Sequence, residues 1–173
     1  MLITRTAIVA IALGATAAPA LASGSFVPGQ QIGPAVVGQS MDQLRATAGP
    51  ARRDIARRTV SGDWHTLLYG RTAARCPSPS QWSRWGCPRL VVKVRDGVVV
   101  AAITRSTQYR TSTGVGVGST RRQLEQAIPG LDCRRYPGRF IRCAVGAPGR
   151  AATTAALLSL GTGRAYSISV SSG

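Results

Sequence analysis

The chain has 173 residues, with 22 Lys and Arg against six Asp and Glu, one His and a formal net charge of +16. That length can bury a substantial core, as one domain or as two small fused units. With one imidazole, any histidine triad must use His65, and the few dispersed carboxylates give paired-carboxylate hydrolysis little support. A chain this basic attracts polyanions. Its cations occur as Arg pairs at 52–53, 57–58, 121–122 and 134–135, scattered rather than in one tract.

Residues 1–22 read as a cleavable secretory signal peptide. Arg5 marks the charged start, Thr6 to Ala20 is apolar and alanine-rich, and Ala20-Leu21-Ala22 places small residues three apart, as signal peptidase requires. Gly14 and Pro19 interrupt the apolar run, and it is too short for a membrane span. Ser23 follows the cut, so no lipid-bearing cysteine is expected there. The expected address is extracellular or the cell envelope, with no membrane span after cleavage. Residues 23–36, rich in Gly, Pro, Ser and Gln, read as a flexible leader or a loosely docked edge.

A short helix is predicted after Gly38, with Ser40 as N-cap, Asp42 at its positive end, and Gly49-Pro50 as its stop. Trp64 to Tyr69 reads as a strand. Arg89 to Arg95 and Val98 to Thr104 are β-branched runs joined by Asp96-Gly97, a strong hairpin signal. The glycine-rich stretch Gly114 to Gly118 lacks a phosphate-loop ending and reads as a loop feeding a second helix over Arg121 to Ile128, capped by Ser119 or Thr120. Further strands are predicted at Leu131 to Arg135, Arg139 to Val145, Thr153 to Leu160 and Arg164 to Val170.

Four cysteines in an exported chain imply two disulfides. Spacing favours neighbours: Cys76 with Cys87 around a loop holding Trp82 and Trp85, and Cys133 with Cys143 across a hairpin turned by Tyr136-Pro137-Gly138. A zinc site has no C-x-x-C pair and only a distant histidine to draw on, so no metal and no cofactor are expected.

Val37-Gly38-x-Ser40-x-x-Gln43-Leu44 lies 80 residues before Val117-Gly118-x-Thr120-x-x-Gln123-Leu124. That echo predicts an α+β fold of two tandem helix-plus-antiparallel-sheet repeats, residues 37–105 and 106–173, with short helices packed on a mostly antiparallel sheet. The two segments, Gly38-Gln39-Ser40-Met41-Asp42-Gln43-Leu44 and Gly118-Ser119-Thr120-Arg121-Arg122-Gln123-Leu124, resemble the G-M-[ST]-x-x-[QE]-[VL] helix starts of the β-lactamase inhibitor protein fold and of the SmpA/OmlA (BamE-like) lipoproteins. Gln39 and Ser119 stand where those families usually carry Met. The resemblance implies a secreted fold of two repeats, with one disulfide in each, that binds macromolecules without chemistry.

Three functions follow as expectations. The first is a secreted, non-enzymatic binding module for a protein or an envelope component, using Trp82, Arg84 and Trp85 in an exposed cysteine loop, because Trp and Arg anchor interfaces. The same loop would equally suit stacking on sugars or bases; the alternative is that Trp85, or at least one of the two tryptophans, folds inward to cap the sheet. The second is a cationic protein for polyanions, with anionic envelope polymers rather than nucleic acid as the partner. The third is a hydrolase using His65, with Asp63 near it in sequence; adjacent strand residues face opposite ways, which weakens that pairing.

Overall fold

The computed structural model describes residues 24–71, 81–136, 140–146 and 153–172. The chain runs β1 (Phe26–Val27), β2 (Gln31–Ile32), β3 (Ala35–Val36), α1 (Met41–Ala48), β4 (Arg53–Thr59), β5 (Gly62–Tyr69), α2 (Gln81–Arg84), β6 (Leu90–Arg95) and β7 (Val98–Thr104). It continues through α3 (Arg121–Ala127), β8 (Asp132–Tyr136), β9 (Phe140–Val145), β10 (Thr154–Ser159) and β11 (Ala165–Ser171).

Eight strands form one antiparallel sheet in the order β4-β5-β6-β7-β11-β10-β9-β8, and β1, β2 and β3 form a small second sheet. The hairpin between β6 and β7 turns at Asp96-Gly97 with φ of 48° and 79°. Two successive positive φ values suit a tight hairpin whose twist matches its strands. The two outer strands, β4 and β8, carry Arg53, Arg57 and Arg58, and Arg134 and Arg135. Rows of cations at both edges oppose pairing with another sheet.

Both predicted caps form. Ser40 Oγ accepts from Gln43 N at 3.1 Å, while Gln43 Oε1 accepts from Ser40 N at 2.9 Å. Thr120 and Gln123 repeat the arrangement at α3. Each reciprocal pair satisfies amides that the first helical turn leaves free. Leu44 of α1 and Leu124 of α3 are wholly buried, in a core shared with Leu67, Val92, Ala156 and Ile168 of the large sheet.

The expected α+β class is overturned. Among the described residues the fold is mostly β, with eleven strands and three helices of eight, four and seven residues. Such helices are about two turns or less, too short to build a layer of their own. The two predicted repeats also do not stand as separate helix-plus-sheet units: β7 pairs directly with β11, so strands from both parts of the chain make one continuous sheet.

Residues 24–36, part of the 23–36 stretch read as a flexible leader or a loosely docked edge, are docked on the core. Phe26, Ile32 and Ala35 are buried in the core, and the buried Gln31 side chain donates to the Gly33 carbonyl at 2.6 Å. The spaced apolar residues pack, while glycines turn the chain between them. The Cys133–Cys143 disulfide is present and joins directly paired positions of β8 and β9. The other expected pairing falls on Cys76, outside the described residues; Cys87 is itself disulfide-bonded.

Candidate functional site

Cross-strand pairing decides which side chains share a face. Arg57 lies opposite Trp64, and Trp64 opposite Arg95; Ile55 lies opposite Thr66, and Thr66 opposite Lys93. Directly paired residues point the same way. This face is the one turned away from α1 and α3. On it, Arg53, Arg57, Arg84 and Lys93 line a cleft of about 490 Å³, with the indoles of Trp64 and Trp85 as apolar walls.

The loop after α2 forms one side of the cleft, held by Arg52, whose Nη2 donates to the Trp85 carbonyl at 2.7 Å. Arg84 is exposed and Trp85 half-buried. Trp82 is only 6% exposed and packs on Leu68 and Val91. Its expected role as a contact residue in an exposed loop is therefore corrected: Trp82 caps the sheet, and the half-buried Trp85, the ring expected to fold inward, packs against the same cluster. Three apolar neighbours on β5, β6 and β7 (Leu68, Val91 and Ile103) would otherwise face water.

Charge in the cleft is one-sided. The six carboxylates of the chain pair with other partners: Asp42 with Arg45, Asp54 with His65 and Arg45, Asp63 with Arg58, Asp96 with Arg95, Glu125 with Arg121, and Asp132 with Arg134. None of them lines the cleft. Lys93 Nζ donates to Thr66 Oγ1 at 2.7 Å and lies 5.2 Å from the Trp85 ring centroid. Burial, and then the neighbouring Arg57, pull its amine below the usual lysine range. Neighbouring guanidiniums keep their charge at any ordinary pH.

A pH dependence follows with a definite sign. Raising pH through the depressed Lys93 range removes one cleft charge. Affinity for an anionic probe should fall over that window, and Lys93→Arg should flatten the fall. An identical pH profile in Lys93→Arg would assign the titration elsewhere.

His65 lies between Trp64 and Thr66 on β5, so it faces the helix side, away from the cleft. Its Nδ1 is 2.9 Å from Asp54 Oδ1, on the paired strand β4. The expected neighbour Asp63 instead bonds Arg58 at 2.8 Å. The carboxylate can orient the imidazole through Nδ1. Val115 and Val117 of the glycine-rich stretch are buried, which makes it a packed connection into α3. Among the described residues no group of three or more His, Cys, Asp or Glu side chains is placed to hold a metal ion. None of the described helices is long and apolar enough to cross a membrane.

Sequence reasoning had singled out Arg84 and Trp85, and the fold does bring them together at the cleft. It had missed Arg53, Arg57, Trp64 and Lys93. The available signal was the alternation Arg53-x-Ile55-x-Arg57, which places every second residue of a strand on one face.

No family model matches the chain, and no curated protein matches it. Among solved structures it is similar to the uncharacterized protein yfeY from Escherichia coli, at 14% identity and a TM-score of 0.51, over 86% of this chain and 98% of that one. This likeness concerns the fold alone. An extracellular protein containing an SCP domain from Bacillus anthracis aligns at 12% identity and a TM-score of 0.46, over 78% of this chain and 43% of that one. A cysteine-rich secretory protein from Staphylococcus aureus aligns at 8% identity and a TM-score of 0.43, over 79% and 43%.

Proposed function

We propose that this protein is an exported, non-enzymatic binding module whose open sheet face holds an acidic partner, a protein or an envelope component, in the cation-lined cleft. One observation carries the reading: Arg53, Arg57, Arg84 and Lys93 converge beside Trp64 and Trp85 with no carboxylate among them. Uncompensated cations attract an anion, and indoles supply apolar contact area at low entropy cost. The leader-like residues 1–22 and the Cys133–Cys143 disulfide support an oxidising destination. The resemblance of the two capped segments to inhibitor-type folds supports binding without chemistry.

The test is capture of the mature chain on sulfated and carboxylated matrices across a salt series. Exposed charge pairs are screened beyond about 8 Å at physiological ionic strength, so affinity should fall steeply with salt. A flat salt response would overturn the reading. A hydrolase using His65 is the competing reading, favoured by the Asp54 contact. Full partner capture by His65→Ala, without any hydrolytic product in either protein, would separate the two.

A further inference from the structure

We infer that the partner is a linear acidic glycan that lies across the strands, from the cleft on β4–β6 to a second cationic patch on β8 and β9. The inference rests on the binding role proposed above and names the ligand class of that face.

The floor between the two patches consists mostly of small side chains, with Ile103 and Leu157 on the same face. Lys93 lies opposite Ala101, and Ala101 opposite Ser171; in the next row Ile103 lies opposite Ser169, Ser169 opposite Ala155, and Ala155 opposite Ala144. Ala101, Ser169, Ala155 and Ala144 are only partly covered. A row of alanines and serines between two groups of large side chains makes a trough. Beyond it, the row ends with Ala144 opposite Asp132, whose carboxylate accepts from Arg134 Nε at 2.7 Å; Arg142 lies opposite Arg134, and both arginines are exposed. Along the trough Arg105 stands over Tyr166, 5.3 Å from its centroid, and Tyr166 lies 6.1 Å from Phe140. Cations and aromatic rings therefore recur on the same face at both ends. From β5 to β9 the sheet order counts five strand spacings. At ~4.8 Å each they span about 24 Å, which a single acidic group cannot bridge.

The chemistry of the trough selects among linear polyanions. A peptide laid across the strands finds no free ladder amides between the two edges, because β5, β6, β7, β11, β10 and β9 are each paired on both sides. Base stacking would have to compete with the cation already over one face of each indole, Arg95 at 5.7 Å from Trp64 and Lys93 at 5.2 Å from Trp85. An acidic glycan offers carboxylate or sulfate groups for the guanidiniums, hydroxyls for Ser169 and Thr66, and C–H faces for the alanine methyls and ring edges.

The experiment is calorimetric titration of the mature chain with a ladder of oligouronates of increasing length. Wild type is compared with Arg134→Gln/Arg142→Gln and with a cleft control, Arg57→Gln. Affinity should rise with length until the oligomer spans both patches. The β8–β9 variant should lose about two- to five-fold per side chain on long oligomers and nothing on the shortest, while the cleft control should weaken both. Equal affinity of wild type and the β8–β9 variant for long oligomers would confine the ligand to the cleft and overturn this inference, leaving the binding role intact. Tighter capture of polyglutamate or single-stranded DNA of matched charge would overturn the glycan assignment. No binding to any of these acids would overturn both the inference and the role.

Discussion

Replacing Trp82 with alanine is expected to cost about 3–5 kcal/mol of folding stability, the range for removing a large buried aromatic. Its ring covers Leu68 and Val91 on the sheet and is only 6% exposed, and Arg105 lies 4.9 Å from its centroid. Truncation strips all three of their cover. A shift of the denaturant midpoint at unchanged slope would report this loss. Trp85→Ala should behave differently. That ring is half-buried beside the cleft, so the expected result is a smaller stability loss with a clear fall in capture of an anionic partner. If Trp82→Ala unfolds at the wild-type midpoint and only Trp85→Ala is destabilised, the two rings have exchanged roles.

Reversing two cleft charges, Arg57→Glu with Arg84→Glu, is expected to weaken anion binding by about 1–4 kcal/mol. This follows from exposed pairs of ~0.2–1 kcal/mol, each turned from attraction into repulsion, or on the order of five-fold to nearly a thousand-fold in affinity at low salt. Both side chains are exposed, so unfolding should change little. The gap between variant and wild type should close as salt rises, because screening removes attraction and repulsion together. The same two reversals placed at Arg121 and Arg122, on α3 and away from the cleft, are the control. An equal loss there would mean that net charge, rather than the cleft, governs capture.

Local chemistry was legible in the sequence. Ser40 and Thr120 cap their helices because a hydroxyl before a helical run meets amides that have no other partner. Asp96-Gly97 turns its hairpin because both residues tolerate positive φ. Cys133 and Cys143 join because a short hairpin brings its two arms opposite each other. Strand β4 was not legible. Arg53–Thr59 reads RDIARRT, with only Ile55 as a large apolar residue, because an edge strand outside the covered core needs no alternating apolar face. Without β4 the cations Arg53 and Arg57 had no assigned direction, so the cleft could not be anticipated. The short strands of residues 24–36 were missed for a related reason: with two residues each, they have no measurable period.

By itself, the sequence determined the basic character of the chain, the two capped helices, most strand positions and the hairpin disulfide. These depend on residues near one another along the chain, where capping, turn geometry and loop closure act. Only the tertiary structure decided the fold class, through the β7–β11 pairing that merges both parts of the chain into one sheet. It also decided which tryptophan is buried, and that Asp54 rather than Asp63 meets His65. It drew four cations from β4, β6 and α2 into one cleft. Those outcomes depend on strand register, and a shift of one residue sends every side chain of a strand to the opposite face.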